Sequence, residues 1–187
     1  MKSLSFKFNN TYLYHIVKKD NNNLIKEYGL CSPRALYDID KDIFMKTTGI
    51  YYRERAQVFL KKYKLTPEDI IYYLDNASKR KIFTSKCIFF SYFSMLEHNP
   101  EFLKIFKNSI EYKIDINYVK QYTPIQVEFH NTKQITWTDI LNVNYLSKIK
   151  EEIKHPPNNS LSFLNITHLA LPIYKIDYNH LIYNITI

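Results

Sequence analysis

Two short stretches of the chain carry side chains suited to binding a polar ligand that contains a ring and a phosphate. The first is an aromatic and β-branched run over residues 12–17, in which His15 is the one histidine. The second is the run Tyr51-Tyr52-Arg53-Glu54-Arg55. Imidazole forms hydrogen bonds, tyrosine stacks on planar rings, and arginine can hold a phosphate through two parallel hydrogen bonds. The alternative is a strand histidine satisfied by a neighbour and arginines on the solvated face of a helix.

Several other chemistries are excluded by what the sequence lacks. Two glycines among 187 residues cannot form a glycine-rich phosphate loop or a dinucleotide fingerprint. Cys31 and Cys87 lie far apart, which argues against a disulfide scaffold and a cysteine-based zinc site. The six histidines show no metal-binding spacing, so we predict no metal, although a site built from distant histidines stays open.

The charge balance favours a polyanionic partner. The formal net charge is +8, with a pI near 9.2, which suits nucleic acid or a pyrophosphate-bearing cofactor. The basic turn with Lys79, Arg80 and Lys81 is a candidate nucleic-acid contact; a solvated lysine face is the alternative. No leader-like or membrane-length apolar run is present, so we expect a cytoplasmic protein that makes no membrane contact.

The chain begins with a strand, a polar turn and a short helix. Residues 11–17 read as a strand, and Asn23 is placed to cap a helix over 24–28. Gly29 then supplies a left-handed stop. Ser32-Pro33-Arg34 opens a further short turn or helix through Tyr37.

Three longer helices follow from local patterns. Apolar residues recur at helical spacing over 51–63. Thr66-Pro67-Glu68-Asp69 is a capping box with proline at the first helical position, and it predicts a helix over 67–76. Asn99-Pro100-Glu101 repeats this device and predicts a helix over 100–107.

The remaining pattern is mostly that of strands. Strands are predicted over 87–93, 110–116 and 125–129. We expect the first to be buried on both faces and the second to have one solvent-exposed face. For 134–143 we favour a strand followed by a helix capped at Asn144, and one long helix capped at Thr136 is the alternative. A loop at 155–160 leads to a β-rich tail, 161–187, with two strands around Pro172 and Asp177.

These elements predict a single α+β domain over 1–187, with a mixed, mainly antiparallel twisted sheet and flanking helices. At this length the chain can bury a substantial core. The apolar tail could instead pair with another chain through an exposed strand edge.

Within this framework, Tyr14-His15-Ile16, Leu24-Ile25 and Gly29-Leu30 resemble the opening of ADP-ribosyltransferase domains. The resemblance is closest to the DNA-targeting toxins of the DarT group. It implies that NAD is the substrate and that His15 forms a hydrogen bond with the nicotinamide ribose.

The same resemblance assigns roles to residues further along. Gln126-Val127-Glu128, followed by a segment similar to the closing strands of the family, implies that Glu128 stabilises the transition state as nicotinamide leaves. It also implies that Tyr51 or Tyr52 stacks on nicotinamide and that Arg53 or Arg34 pairs with the pyrophosphate. The scarcity of glycine departs from the family pattern, and the tail has no counterpart in it.

The implied function is NAD-dependent transfer of ADP-ribose to a macromolecular acceptor, either nucleic acid or protein. The alternative is a non-enzymatic basic module that binds nucleic acid or a partner protein, such as an inhibitor from a mobile element.

Overall fold

The computed structural model describes residues 11–62, 64–77, 85–92, 94, 107–127, 132–142 and 168–186. Within them, seven strands form one sheet in the order β6-β5-β7-β3-β1-β4-β9, and each neighbouring pair is antiparallel. A two-stranded sheet pairs β2 with β8. The strands are β1 Tyr12–Lys18, β2 Leu30–Cys31, β3 Ile88–Ser91, β4 Ser109–Asp115, β5 Ile125–Val127, β6 Thr132–Gln134, β7 His168–Leu171, β8 Lys175–Ile176 and β9 Ile182–Thr186.

Helices occupy the connections between these strands, which confirms the predicted α+β class. A π-helical stretch, Met45–Gly49, joins α3 to α4, and another, Tyr73–Ala77, continues α5. Short 3-10 turns lie at Lys19–Asn21 and Tyr178–His180. The α-helices are α1 Asn22–Tyr28, α2 Pro33–Ile39, α3 Lys41–Phe44, α4 Ile50–Leu60, α5 Pro67–Tyr72, α6 Ile116–Val119 and α7 Trp137–Ile140.

The opening strand–turn–helix unit is present, with one correction. The helix α1 begins at Asn22, so Asn23 lies inside its first turn and does not cap it. No side chain caps this helix, because the preceding 3-10 turn runs directly into it. Ile25 on α1 is buried in the main core against the sheet.

Gly29 ends α1 with a positive φ, as predicted, but not in the left-handed helical conformation. Its φ of 83° and ψ of −175° lie in an extended region that only glycine readily adopts. The chain therefore leaves the helix directly into β2, where Leu30 pairs with Ile176. A Cβ at Gly29 would overlap the carbonyl oxygen of Ile176.

The predicted helix over 51–63 ends early, and that over 67–76 is confirmed. Helix α4 stops at Leu60 because Lys61 has a positive φ of 51°. The Thr66–Asp69 capping box is formed as predicted, with the Thr66 side chain accepting from the Asp69 backbone N–H at 3.2 Å. The helix predicted over 100–107 lies outside the described residues.

Strand β4 was predicted to have one wet face, and this is wrong at Glu111. The Glu111 side chain is fully buried, and its carboxylate accepts hydrogen bonds from Ser94 and Asn184. The register between β4 and β9 shifts at this point, and Asn184 is the residue of β9 that the shift passes over. Such a bulge redirects a side chain, and here the redirected amide satisfies the buried carboxylate.

The favoured strand over 134–143 is also wrong. Strand β6 ends at Gln134, and α7 begins after Thr136, whose hydroxyl accepts from the Asp139 backbone N–H at 3.1 Å. The alternative interpretation is right about the cap at Thr136, but the described helix ends at Ile140 and is not a long one. The helix predicted after Asn144 and the loop at 155–160 lie outside the described residues.

The described part of the tail, residues 168–186, contains three strands where two were predicted, and they pair within the chain. Strand β7 lies inside the large sheet between β3 and β5, β8 pairs with β2, and β9 forms an edge beside β4. Leu169, Ala170 and Leu171 of β7 are fully buried. In the described part of the chain, no helix is both long and apolar enough to cross a bilayer.

Candidate functional site

His15 lies at the point where two parts of the large sheet meet. Its strand, β1, pairs with β4 along all of its length, from Tyr12 to Lys18. In contrast, the described residues of β1 and β3 share one registered pair, Tyr14 with Ser91. His15 bridges this junction, because its Nδ1 lies 2.5 Å from the carbonyl oxygen of Phe89 on β3.

This contact defines the protonation of the His15 ring. A carbonyl oxygen can only accept, so Nδ1 must carry the proton and donate it. Burial lowers the pKa of His15 below its usual 6.5, and the hydrogen bond to Phe89 opposes this shift only in part. The imidazole is therefore neutral at pH 7, and Nε2 is left as an acceptor. Among the described residues, Nε2 has no hydrogen-bond partner.

The lowered pKa predicts a pH dependence of stability. The unfolded chain binds a proton at His15 more readily than the folded chain, so the free energy of unfolding decreases as the pH falls below about 6.5. The contribution of His15 approaches at most about 1.4 kcal/mol per pH unit and levels off below the lowered pKa. Urea unfolding across a pH series will measure it.

His15→Gln should lose this component of the slope, and His180→Gln, at an exposed histidine, should keep it. The interpretation is contradicted if His15→Gln keeps the full wild-type slope just below pH 6.5.

The side chains next to His15 come from β3 and β4, and residues of α1 and the tail contact Tyr112 in turn. Tyr112 is paired with His15 across the β1–β4 ladder, so the two side chains lie side by side on one face. The Tyr112 hydroxyl donates to the Asn22 side-chain oxygen at the start of α1. Tyr178 packs edge-to-face on the Tyr112 ring, with centroids 6.2 Å apart, and Phe90 lies edge-on to the His15 ring at 5.8 Å.

Helix α4 carries the aromatic and basic residues predicted at 51–55. Tyr51 is 61% exposed and lies under the guanidinium of Arg55, which is 5.2 Å from the ring centroid. Tyr52 packs edge-to-face against Tyr51 and contacts the core formed by α3, α4 and α5. The Nε atom of Arg53 is buried, and no described residue is a hydrogen-bond partner for it. Burying a polar N–H without a partner is unfavourable, so this donor lacks the acceptor that it requires.

Arg34 is in a different situation from Arg53. It lies in α2, and its Nε is 3.2 Å from the Asp38 carboxylate one turn later. Its guanidinium also lies 5.2 Å from the Tyr37 ring centroid, and the Tyr174 hydroxyl donates to the other oxygen of Asp38 at 2.7 Å. The charge of Arg34 is therefore already matched, which makes Arg53 the better candidate for binding an anion.

The other predicted site residues, Glu128 and the basic turn at Lys79, Arg80 and Lys81, lie outside the described residues. Strand β5 ends at Val127, and β7 and β3 separate it from β1. Three strand spacings correspond to about 14 Å between β5 and β1. A shared cleft for His15 and Glu128 therefore stays a prediction.

The structure adds two features that the sequence did not reveal. One is the buried Glu111, which an alternating pattern places on a wet face. It lies next to Tyr112 in the strand and thus points to the opposite side of the sheet from His15. The other is the contact of Tyr112 with Asn22, which joins residues 90 positions apart; no local pattern signals such a contact.

No family model matches this sequence, and no curated protein matches it. Among solved structures, the chain is similar to Thermosipho africanus DarTG, in a structure described as a complex with ADP-ribose. The match covers 91% of this chain and 42% of that chain, with a TM-score of 0.47 and 13% sequence identity. This chain therefore spans less than half the length of the chain it matches. A likeness of this extent does not establish a shared function.

Proposed function

We propose that this protein cleaves NAD at its nicotinamide–ribose bond and transfers ADP-ribose to a macromolecular acceptor. The observation that carries the proposal is the state of His15, a neutral imidazole with its Nε2 lone pair unpaired among the described residues at a junction in the sheet. It belongs to the strand–turn–helix–glycine unit on which the resemblance to ADP-ribosyltransferases rests.

In this proposal, His15 holds the nicotinamide ribose. A ribose hydroxyl donates to Nε2, because the Phe89 carbonyl already occupies Nδ1. The bond between His15 and Phe89 keeps the ring in one tautomer and orientation, so the acceptor is formed before the substrate binds. Such preorganisation lowers the entropic cost of binding.

Arg53 binds the pyrophosphate of NAD. Its buried, unpaired Nε gains an acceptor when a phosphate oxygen approaches, and a charge-assisted hydrogen bond of this kind is about twice as strong as a neutral one. Tyr51 or Tyr52, one or two positions before Arg53 on α4, stacks on the nicotinamide ring. Arg34 is less suited to the pyrophosphate, because Asp38 already engages it.

Glu128 stabilises the transition state as nicotinamide leaves. Positive charge develops on the anomeric carbon of the ribose, and a fixed carboxylate lowers the energy of that state more than that of the ground state. Val127, the residue before it, ends β5.

The acceptor that we favour is nucleic acid. A net charge of +8 attracts a polyanion. Arg55, Lys61 and Lys62 are exposed along and just beyond α4, close in sequence to exposed Tyr51 and Phe59. Stacking side chains next to cations bind nucleic-acid strands, and Lys79, Arg80 and Lys81 add further positive charge. A protein acceptor is the alternative.

Arg53→Leu tests the cofactor assignment against a matched control on the same helix. We expect Arg53→Leu to weaken the binding of ADP-ribose, which retains the pyrophosphate, by about tenfold or more. Arg55→Leu removes an exposed guanidinium two positions away and should change the affinity less than about twofold. Isothermal titration calorimetry measures both.

The melting temperature of Arg53→Leu shows whether the substitution affects folding as well as binding. Because the Arg53 Nε is buried without a partner, its removal should leave the melting temperature unchanged or raise it. Equal affinities of the two variants for ADP-ribose would count against Arg53 as the pyrophosphate ligand.

A further inference from the structure

We propose that Tyr112 is a positioning residue of the NAD site. It holds the turn after β1, residues 19–22, in a fixed place beside His15. The inference rests on the proposed function and adds a residue from β4, a strand to which no site role was assigned.

Tyr112 lies opposite His15 in the sheet. It is the direct cross-strand partner of His15, so the two side chains start about 5 Å apart on the same face. Tyr112 therefore links any element that it holds to the strand pair that carries His15.

The element that Tyr112 holds is the turn after β1. The Tyr112 hydroxyl donates to the Asn22 side-chain oxygen, at the C-terminal end of the turn. At the other end, the Lys19 backbone N–H donates to the Asn108 carbonyl at 2.8 Å, directly before β4 begins. The turn is thus attached to the β4 side of the sheet at both of its ends. Of these two bonds, the one at Asn22 depends on a side chain that can be replaced.

The Tyr112 hydroxyl stays protonated, and its ring is held in place. Burial raises the pKa of Tyr112 to about 12, so its hydroxyl keeps its proton at neutral pH. Tyr178 packs edge-to-face on the ring, and β8 and β9 on either side of Tyr178 pair with β2 and β4. The C-terminal segment therefore supports the Tyr112 ring.

The consequence for the reaction is a role in substrate binding. In this proposal, a ribose whose hydroxyl donates to His15 Nε2 lies next to the turn that follows β1. If the turn loses its attachment at Asn22, the substrate must order it on binding, and the affinity decreases while the bound complex reacts as before.

Tyr112→Phe removes the hydroxyl and keeps the ring. We expect the KM for NAD to rise about fivefold, as the loss of one hydrogen bond predicts, with kcat within about twofold of the wild type. Amide hydrogen exchange over residues 19–28 should become faster in the same variant. Tyr183→Phe is the control, because Tyr183 is paired with Tyr112 but is 57% exposed on the edge strand, and it should change neither quantity.

The outcomes separate this inference from the proposed function. Unchanged exchange over 19–28 in Tyr112→Phe overturns the positioning role, and so does a lower kcat at an unchanged KM. If exchange becomes faster but the wild type never releases nicotinamide from NAD, the contact is structural and both proposals fall.

Discussion

Replacing Glu128 with glutamine will lower the rate of nicotinamide release from NAD by about 100-fold or more. The glutamine side chain has nearly the same shape but lacks the charge that stabilises the positive anomeric carbon. Affinity for ADP-ribose, which has already lost nicotinamide, should change far less. Single-turnover assays of nicotinamide release, combined with calorimetric titration of ADP-ribose, measure the two effects separately.

Glu68→Gln is the control for this prediction. Glu68 is an exposed carboxylate at the start of α5, bound to Lys41 and Tyr37, and its replacement should leave nicotinamide release unchanged. The role given to Glu128 is wrong if Glu128→Gln retains the wild-type rate, or if the two variants lose activity equally.

The second large effect is expected at Gly29, where alanine should lower the free energy of unfolding by about 3 kcal/mol or more. The φ of 83° with a ψ of −175° is unfavourable for any residue with a Cβ. The added methyl would also overlap the Ile176 carbonyl oxygen and would lie 3.4 Å from the Asp177 Cα. Both neighbours are backbone, so relief requires that β2 and β8 move apart. Urea unfolding measures the loss.

Gly49→Ala provides the matched comparison, because Gly49 has ordinary helical angles, φ −62° and ψ −34°. Its added methyl would meet the flexible Met45 side chain, with Sδ at 2.8 Å, and the Phe44 carbonyl oxygen at 3.2 Å. Alanine also favours the helix at this position, so we expect a change within about 1 kcal/mol. Similar losses for the two glycines would show that the conformation of Gly29 is not what restricts it.

The sequence predicts those elements of this fold that depend on neighbours three or four residues apart. The capping box at Thr66 and Asp69 is formed as predicted, and the short turn or helix expected after Ser32 is a helix, because in both places cap and first turn lie within one stretch of chain. The strand at His15 and the positive φ at Gly29 follow from local composition in the same way.

Features that depend on distant strands were not predictable from local pattern. Strand β7 lies between β3 and β5 although about 40 residues separate it from β5 in the chain. Glu111 was expected on a wet face, and it is buried because a bulge at Asn184 supplies its hydrogen-bond donor. Local sequence alone does not show which residue of one strand lies opposite which residue of a distant strand.

In the candidate site, too, some features follow from the local sequence and others depend on distant residues. The residue types at His15 and Arg53 are visible in the sequence, but their chemical states are not. The acceptor on His15 Nε2 depends on a carbonyl 74 residues away. Tyr112 is proposed as a site residue because it pairs with β1 and contacts Asn22. No spacing along the chain indicates either interaction.

Nicotinamide release from NAD by the purified wild-type protein tests the proposed activity most directly. It should be assayed alone and with single-stranded DNA, duplex DNA, RNA or protein as acceptor. We expect release that one acceptor accelerates, with ADP-ribose covalently attached to that acceptor in equal amount. If a folded protein releases no nicotinamide with any of them, it does not consume NAD, and a basic binding module is then the better description.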